Sequence, residues 1–219
     1  MKNPWLQLSK SAPYVLESDR VQIEEFNKTS KPEHYIHLEV LPQPFAGSPE
    51  TAEAYLLNLN PGFSSEDEYY QNSLTVFGAT NLDSLKFKNR TGFFFLDERF
   101  NQTPTYKWWS KHLREVIGTM GQKETQKRLM VIEFFPYHSK SYKALKTILL
   151  SQEYSFYLVR QAIKMKKAIV IMRMEKLWLE FVPELKNYPY VSLINKQRAW
   201  VSKNNLPKGS FERVFKNGR

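Results

Sequence analysis

The chain contains no cysteine, which excludes disulfides, iron–sulfur clusters and cysteine-ligated zinc. The absence is compatible with a reducing cytoplasm. Long apolar runs are missing too: no segment approaches the roughly 20 apolar residues that a membrane helix needs. The N-terminal stretch MKNPWLQLSKSAPYVLESDR has no apolar core of signal-peptide length, so the expected location is cytoplasmic. Glycine loops of the Walker or dinucleotide type, G-x-S-x-G and paired-carboxylate motifs are all lacking. His34 and His37 stand three apart with no further ligand cluster, so neither a metal nor any other cofactor is expected. No internal repeat or low-complexity tract is visible.

Acids are in the minority. Against 32 Lys and Arg there are 22 Asp and Glu, a formal net charge of +10 over 219 residues. A balance of that sign favours a polyanionic partner, nucleic acid before membrane. Apolar residues make up 42% and aromatics 15%, enough for one large core with aromatics left over for a surface or groove.

Four short apolar runs read as strands: Ala54–Leu59, Leu129–Phe135, Ala168–Met172 and Tyr190–Ile194. The middle two hardly alternate, as parallel strands covered on both faces do. Between them lie helical patterns. Thr103 reads as an N-cap with Pro104 at the first helical position, and Gly118 and Gly121 end that segment. Ser151 is expected to cap a later helix, and a third runs from Glu175 to Phe181. The alternation predicts a three-layer α/β/α sandwich around a mostly parallel, four-stranded sheet. Residues 1–40 read as an arm or irregular cover, and 41–219 as one domain. Leu41–Ala52, rich in proline and glycine, reads as a loop. TGFFFLDERF, starting at Thr91, reads as an extra strand or a lid.

Ligands of open parallel sheets bind beyond the carboxyl ends of the strands. The first run ends on Asn60-Pro61-Gly62. Proline keeps Asn60 out of the helical region, and glycine permits a sharp turn or close approach of a ligand. The carboxamide of Asn60 could then be held at the mouth of the sheet, or the tripeptide could simply be a turn. Ser64 or Ser65, with Asp67 or Glu68 three residues on, can cap a short helix. The second run carries Glu133, an acid inside apolar sequence, followed by His138 in the next loop. That loop histidine is either a catalytic group or an ordinary capping one. Buried carboxylates need a partner or a function. Glu133 could read an amino group, donate after protonation by burial, or pair with a lysine. After the fourth run, Asn195–Arg219 holds seven Lys or Arg and one acid. In its middle SKNNLP reads as an exposed loop tipped by a leucine. Of Trp108 and Trp109, one is expected in the core and the other partly exposed, with a nucleic-acid platform as the minor alternative.

These pieces, in this order, resemble the uracil-DNA glycosylase superfamily over roughly residues 54–215. LNLNPGFSS (Leu57–Ser65) is similar to the first motif of its mismatch-specific and single-strand-selective members. VIEFFPYHS (Val131–Ser139) stands at the strand that supplies a base-reading asparagine in several members, and Glu133 occupies that place here. VSKNNLP (Val201–Pro207) stands at the second catalytic motif, where Ser202 replaces a His or Asn and Leu206 matches the minor-groove leucine. The chain also resembles bacterial proteins that share Pro44–Phe45, Gly47 and Pro49 ahead of the strand.

What the resemblance implies is a DNA base-excision N-glycosidase. Asn60 would position the attacking water, with His138 as a second catalytic group. Phe63 first, then Phe77, would stack on a flipped base read by Glu133 and Asn204. Ser202, Lys203, Asn205, Lys208 and Arg198 would hold DNA, with Leu206 as the wedge. The alternative is a binding module for nucleic acid or nucleotides on the same fold, without catalysis. The oligomeric state is left open.

Overall fold

The computed structural model describes residues 1–88 and 92–216. Five strands form one sheet in the order β1-β3-β2-β4-β5: β1 (Phe45–Ala46), β2 (Ala54–Asn58), β3 (Leu129–Glu133), β4 (Ala168–Ile171) and β5 (Val191–Ser192). The last four are mutually parallel. The expected four-stranded sheet is thus corrected to a mixed five-stranded one, because part of the Leu41–Ala52 loop pairs antiparallel with β3. Gly47 makes this possible. It has a φ of +117°, and a Cβ there would lie 2.6 Å from the Leu129 carbonyl oxygen. Only glycine leaves the strand that close to β3 at that angle.

Helices cover both faces. Along β2, β3 and β4 the side chains alternate between two cores, as strand geometry requires. Tyr55, Leu57, Met130, Ile132, Ile169 and Ile171 enter the first core. There they meet α1 (Glu17–Thr29), which supplies Ile23, α7 (Leu150–Lys164), which supplies Phe156 and Val159, and Trp178 of α8 (Glu175–Phe181). Leu56, Val131 and Val170 enter the second. On that side lie Phe77 of α3 (Val76–Leu85), Trp109 of α4 (Pro104–His112), Val116 of α5 (Arg114–Met120) and Phe211 of α9 (Ser210–Phe215).

Residues 1–40 are no free arm. Trp5, Tyr14, Leu16 and Ile23 are buried in the first core. Asp19, also buried, accepts from Tyr137 Oη at 2.8 Å and from the Ser151 amide at 3.3 Å at the start of α7. A carboxylate there satisfies a donor that the helix leaves unpaired. Ser151 is therefore not the N-cap; the helix begins one residue earlier. Thr103 does cap α4, accepting from the Tyr106 amide, but the segment breaks at Leu113; Gly118 lies inside α5, and Gly121 ends that helix at a φ of +81°. The described part of TGFFFLDERF is neither strand nor lid. It forms two 3-10 turns whose Phe93, Phe94, Phe95 and Leu96 are core, and Thr91 lies outside the described residues.

The chain leaves β2 for β3 on one side, then crosses to β4 on the other. Adjacent strands that part in this way open a crevice at their carboxyl ends. Hydrogen bonds continue past the strands there: Phe135 N–H donates to Leu59 O and Met172 N–H to Leu57 O, each at 2.8 Å. No helix among the described residues is long and apolar enough to cross a membrane.

Candidate ligand cavity at the carboxyl edge of the sheet

A cavity of about 270 Å³ opens at this edge. Three strands supply its floor: Asn58 and Asn60 from β2 and its exit, Glu133 from β3, and Arg173 from just past β4. The loop after Asn60 adds Gly62, Phe63 and Asp67; Trp108, His138, Lys140 and Gln43 complete the walls.

Asn60 is held by its amide nitrogen. Nδ2 has three acceptors in reach, Pro61 O at 2.9 Å, Ser139 Oγ at 3.1 Å and Ser139 O at 3.3 Å. Among the described residues nothing donates to its Oδ1. A side chain fixed through its donors and open at its acceptor is suited to orient a water. Gly62 has no positive φ, and a Cβ there would meet no atom within 4 Å. Its value is the space it leaves in the cavity rather than a turn that only glycine can make. Neither Ser64 nor Ser65 is the expected N-cap: Glu66 holds that place in the short helix that follows, with no side-chain cap bond. The Ser64 amide and Oγ donate to Asp67 Oδ2 at 2.7 and 3.0 Å ahead of α2 (Asp67–Tyr70).

Glu133 and Asn58 are register partners on neighbouring strands, each the last residue of its strand. Asn58 Nδ2 donates to Glu133 Oε1 at 3.1 Å. Asn58 Oδ1 and Glu133 Oε2 are buried with no partner, and so is Gln43 Nε2 on the wall. Each such group costs on the order of 1–3 kcal/mol if left dry and unpaired. Glu133 is 3% exposed, and among the described residues no lysine or arginine pairs with it within 4 Å. Burial raises its pKa from 4.5 to about 8, with Asn58 and then Arg173 opposing the shift. Of the three readings open in sequence, the lysine pair is thereby removed. The carboxyl is protonated at neutral pH and offers a donor.

This has a consequence for stability. Below pH 4.5 both folded and unfolded chains hold the Glu133 proton. Between 4.5 and about 8 the unfolded chain releases it while the folded chain keeps it, so folding weakens as pH rises and levels off above about 8. Glu133→Gln is expected to be more stable than the parent chain, by an amount growing across that window to on the order of a few kcal/mol. Paired thermal melts at pH 5 and pH 8 check this. An unchanged difference in Tm between the two pH values contradicts it.

His138 is buried, and its Nδ1–H donates to Gly62 O at 2.6 Å. Desolvation lowers its pKa, with the Asp67 charge and the Gly62 and Leu41 carbonyls acting against it. The ring braces the Pro61–Gly62 turn that follows Asn60. Phe63 is half-buried, and His37 stacks on it at 3.4 Å between ring centres. Trp109 is core and Trp108 is partly exposed; both border the cavity, and Trp108 stacks on His112.

Other expected site residues lie elsewhere. Phe77 sits in the second core against Phe94 and Phe100. Leu206 is 2% exposed and packs in the same core, so it is no wedge. The segment folds back because Asn205 is buried. Its Oδ1 accepts from the Asn195 amide, its Nδ2 donates to Trp200 O, and Val201 N–H reaches His112 O. Asn204 and Lys208 are exposed, Ser202 is half-buried, and none of them lines the cavity. Lys203 faces Glu212 at 3.7 Å, and Arg198 lies over Trp200.

Sequence reasoning missed Asn58, Gln43, Arg173 and Lys140. For Asn58 a signal existed: like Glu133, it is the one polar residue in an otherwise apolar run, and each stands fifth in its run. Compared with protein-family models, curated proteins and solved structures, the chain gives no match.

Proposed function

We propose that this cavity binds a nucleobase flipped from DNA, and that the protein is a uracil-DNA glycosylase-like N-glycosidase. The observation that carries the reading is the set of buried, unpartnered polar atoms at the cavity floor, next to an asparagine whose carbonyl is open. Protonated Glu133 and Gln43 Nε2 are donors, and Asn58 Oδ1 is an acceptor. A base edge carrying carbonyls on either side of a ring N–H satisfies such a set; adenine, with one amino group beside one ring acceptor, leaves a donor unpaired. Phe63 and Trp108 supply aromatic walls for stacking. In this reading Asn60 Oδ1 accepts from a water and directs it at the sugar carbon, while the leaving base departs toward Glu133. The net charge of +10 suits the polyanionic substrate.

One observation favours the second reading, a binding module without catalysis. No residue of Asn195–Lys216 lines the cavity, so no second catalytic group comes from that segment.

Gly62→Val tests the site itself. The Cβ position is open and Gly62 lines the cavity, so the variant is expected to fold while adding bulk at the cavity wall. Anisotropy of a labelled single-stranded oligonucleotide carrying uracil is expected to show salt-sensitive binding by the parent chain and roughly tenfold or weaker binding by the variant. Equal binding by both would remove the cavity from the reading.

A further inference from the structure

Arg173 is the cavity residue that the floor chemistry leaves unexplained. It follows β4 by two positions and is partly buried; its Nε is fully buried and without a partner. Arg20, Arg99, Arg128 and Arg160 stand in ion pairs with carboxylates within 4 Å. Among the described residues Arg114, Arg198 and Arg213 make no such pair but are exposed, whereas Arg173 makes none while partly buried. It biases Glu133 and His112 through its charge but binds neither. Lys140, on the loop after β3, is exposed, lines the same cavity and is likewise unpaired among the described residues.

The titratable groups around the cavity are Asp67, Glu133, His138, Lys140 and Arg173. Asp67 is engaged by two Ser64 donors. Glu133 is bonded to Asn58. Two cations therefore face the cavity with no carboxylate bound to either. An unpaired, partly desolvated guanidinium is costly unless an anion completes it, and its planar fork matches a phosphate better than any neutral group.

We propose that Arg173, assisted by Lys140, forms an anion subsite that takes a phosphate of the bound nucleotide, so that the ligand is a nucleotide unit and not a free base. The inference rests on the nucleobase reading above. The phosphate can belong to a mononucleotide or to a diester of a chain, and the test separates these.

Binding to the intact protein would be followed by calorimetry with deoxyuridine, deoxyuridine 5′-monophosphate, a single-stranded thymidine trinucleotide and inorganic phosphate. At least one phosphate-bearing ligand is expected to bind about tenfold or more tightly than deoxyuridine. An advantage for the trinucleotide alone assigns the phosphate to a chain; one for the monophosphate assigns it to a free nucleotide. Inorganic phosphate is expected to compete with whichever binds. Arg173→Gln should abolish the advantage, and Arg173→Lys, which keeps charge but loses the fork, should retain part of it. If the glutamine variant fails to fold, the lysine variant and the phosphate competition decide. Equal affinity for nucleoside and phosphate-bearing ligands, or an advantage unchanged in Arg173→Gln, overturns the subsite and leaves the nucleobase reading standing. Failure of every probe and of the uracil oligonucleotide overturns both.

Discussion

Asn60→Ala is expected to leave the chain folded and to lower base release by on the order of 10²-fold or more, the usual cost of losing the group that positions a reactant. The side chain is only partly buried, and its anchors are two backbone carbonyls and one hydroxyl. Losing them costs about 1 kcal/mol, and the remaining acceptors can turn to water. The loss of the Oδ1 acceptor has no such remedy, because nothing else open in the cavity stands where Asn60 does. Melting curves and single-turnover release, run side by side, separate the two effects. A collapse in Tm without a matching effect on release would make the asparagine a structural turn residue.

Gly47→Ala is expected to do the opposite, damaging the fold before the chemistry. Its φ of +117° is strained for any L side chain, and the new Cβ would sit 2.6 Å from Leu129 O and 2.7 Å from Met130 Cα. Both obstacles are backbone in the middle of the sheet, so neither can swing aside. β1 must move away from β3, which also releases the bond from Glu133 N–H to Pro44 O and the wall residue Gln43. The expected loss is above about 3 kcal/mol, a fall in Tm on the order of 10 °C. Gly62→Ala is the control: with normal φ and no atom within 4 Å of the new Cβ, its Tm should be nearly unchanged. Equal Tm values for the Gly47 and Gly62 variants would refute this account of the edge strand.

The parallel strands and their helices were readable because each signal was local. Apolar runs bounded by polar sequence marked β2, β3 and β4 to within a residue or two, and Thr103-Pro104 marked the start of α4. The position of Asn60 at a strand exit followed from the same pattern. What failed depended on contacts distant in sequence. Leu206 looks exposed because its neighbours are polar, yet Asn205 turns its amide inward and draws the leucine into the second core. Trp5 and Asp19 look like parts of a polar arm until Tyr137 and the start of α7 are found against them. Arg173 could not be singled out in a chain with so many basic residues, since what sets it apart is partial burial without a carboxylate partner. Glu133 lay between these cases. Its oddity was visible in the apolar run, but its protonation follows only from burial, which outweighs the opposing bond from Asn58.

The central claim is that the cavity releases a base with Asn60 orienting the water. The most direct measurement is a base-release assay on single- and double-stranded oligonucleotides carrying uracil, xanthine, hypoxanthine or a mismatch, with Asn60→Ala alongside. The account predicts release of a base with carbonyls flanking a ring N–H, uracil or xanthine, and release lowered on the order of 10²-fold or more in the variant. Salt-sensitive binding without release of any base would contradict it and leave the cavity as a recognition site alone.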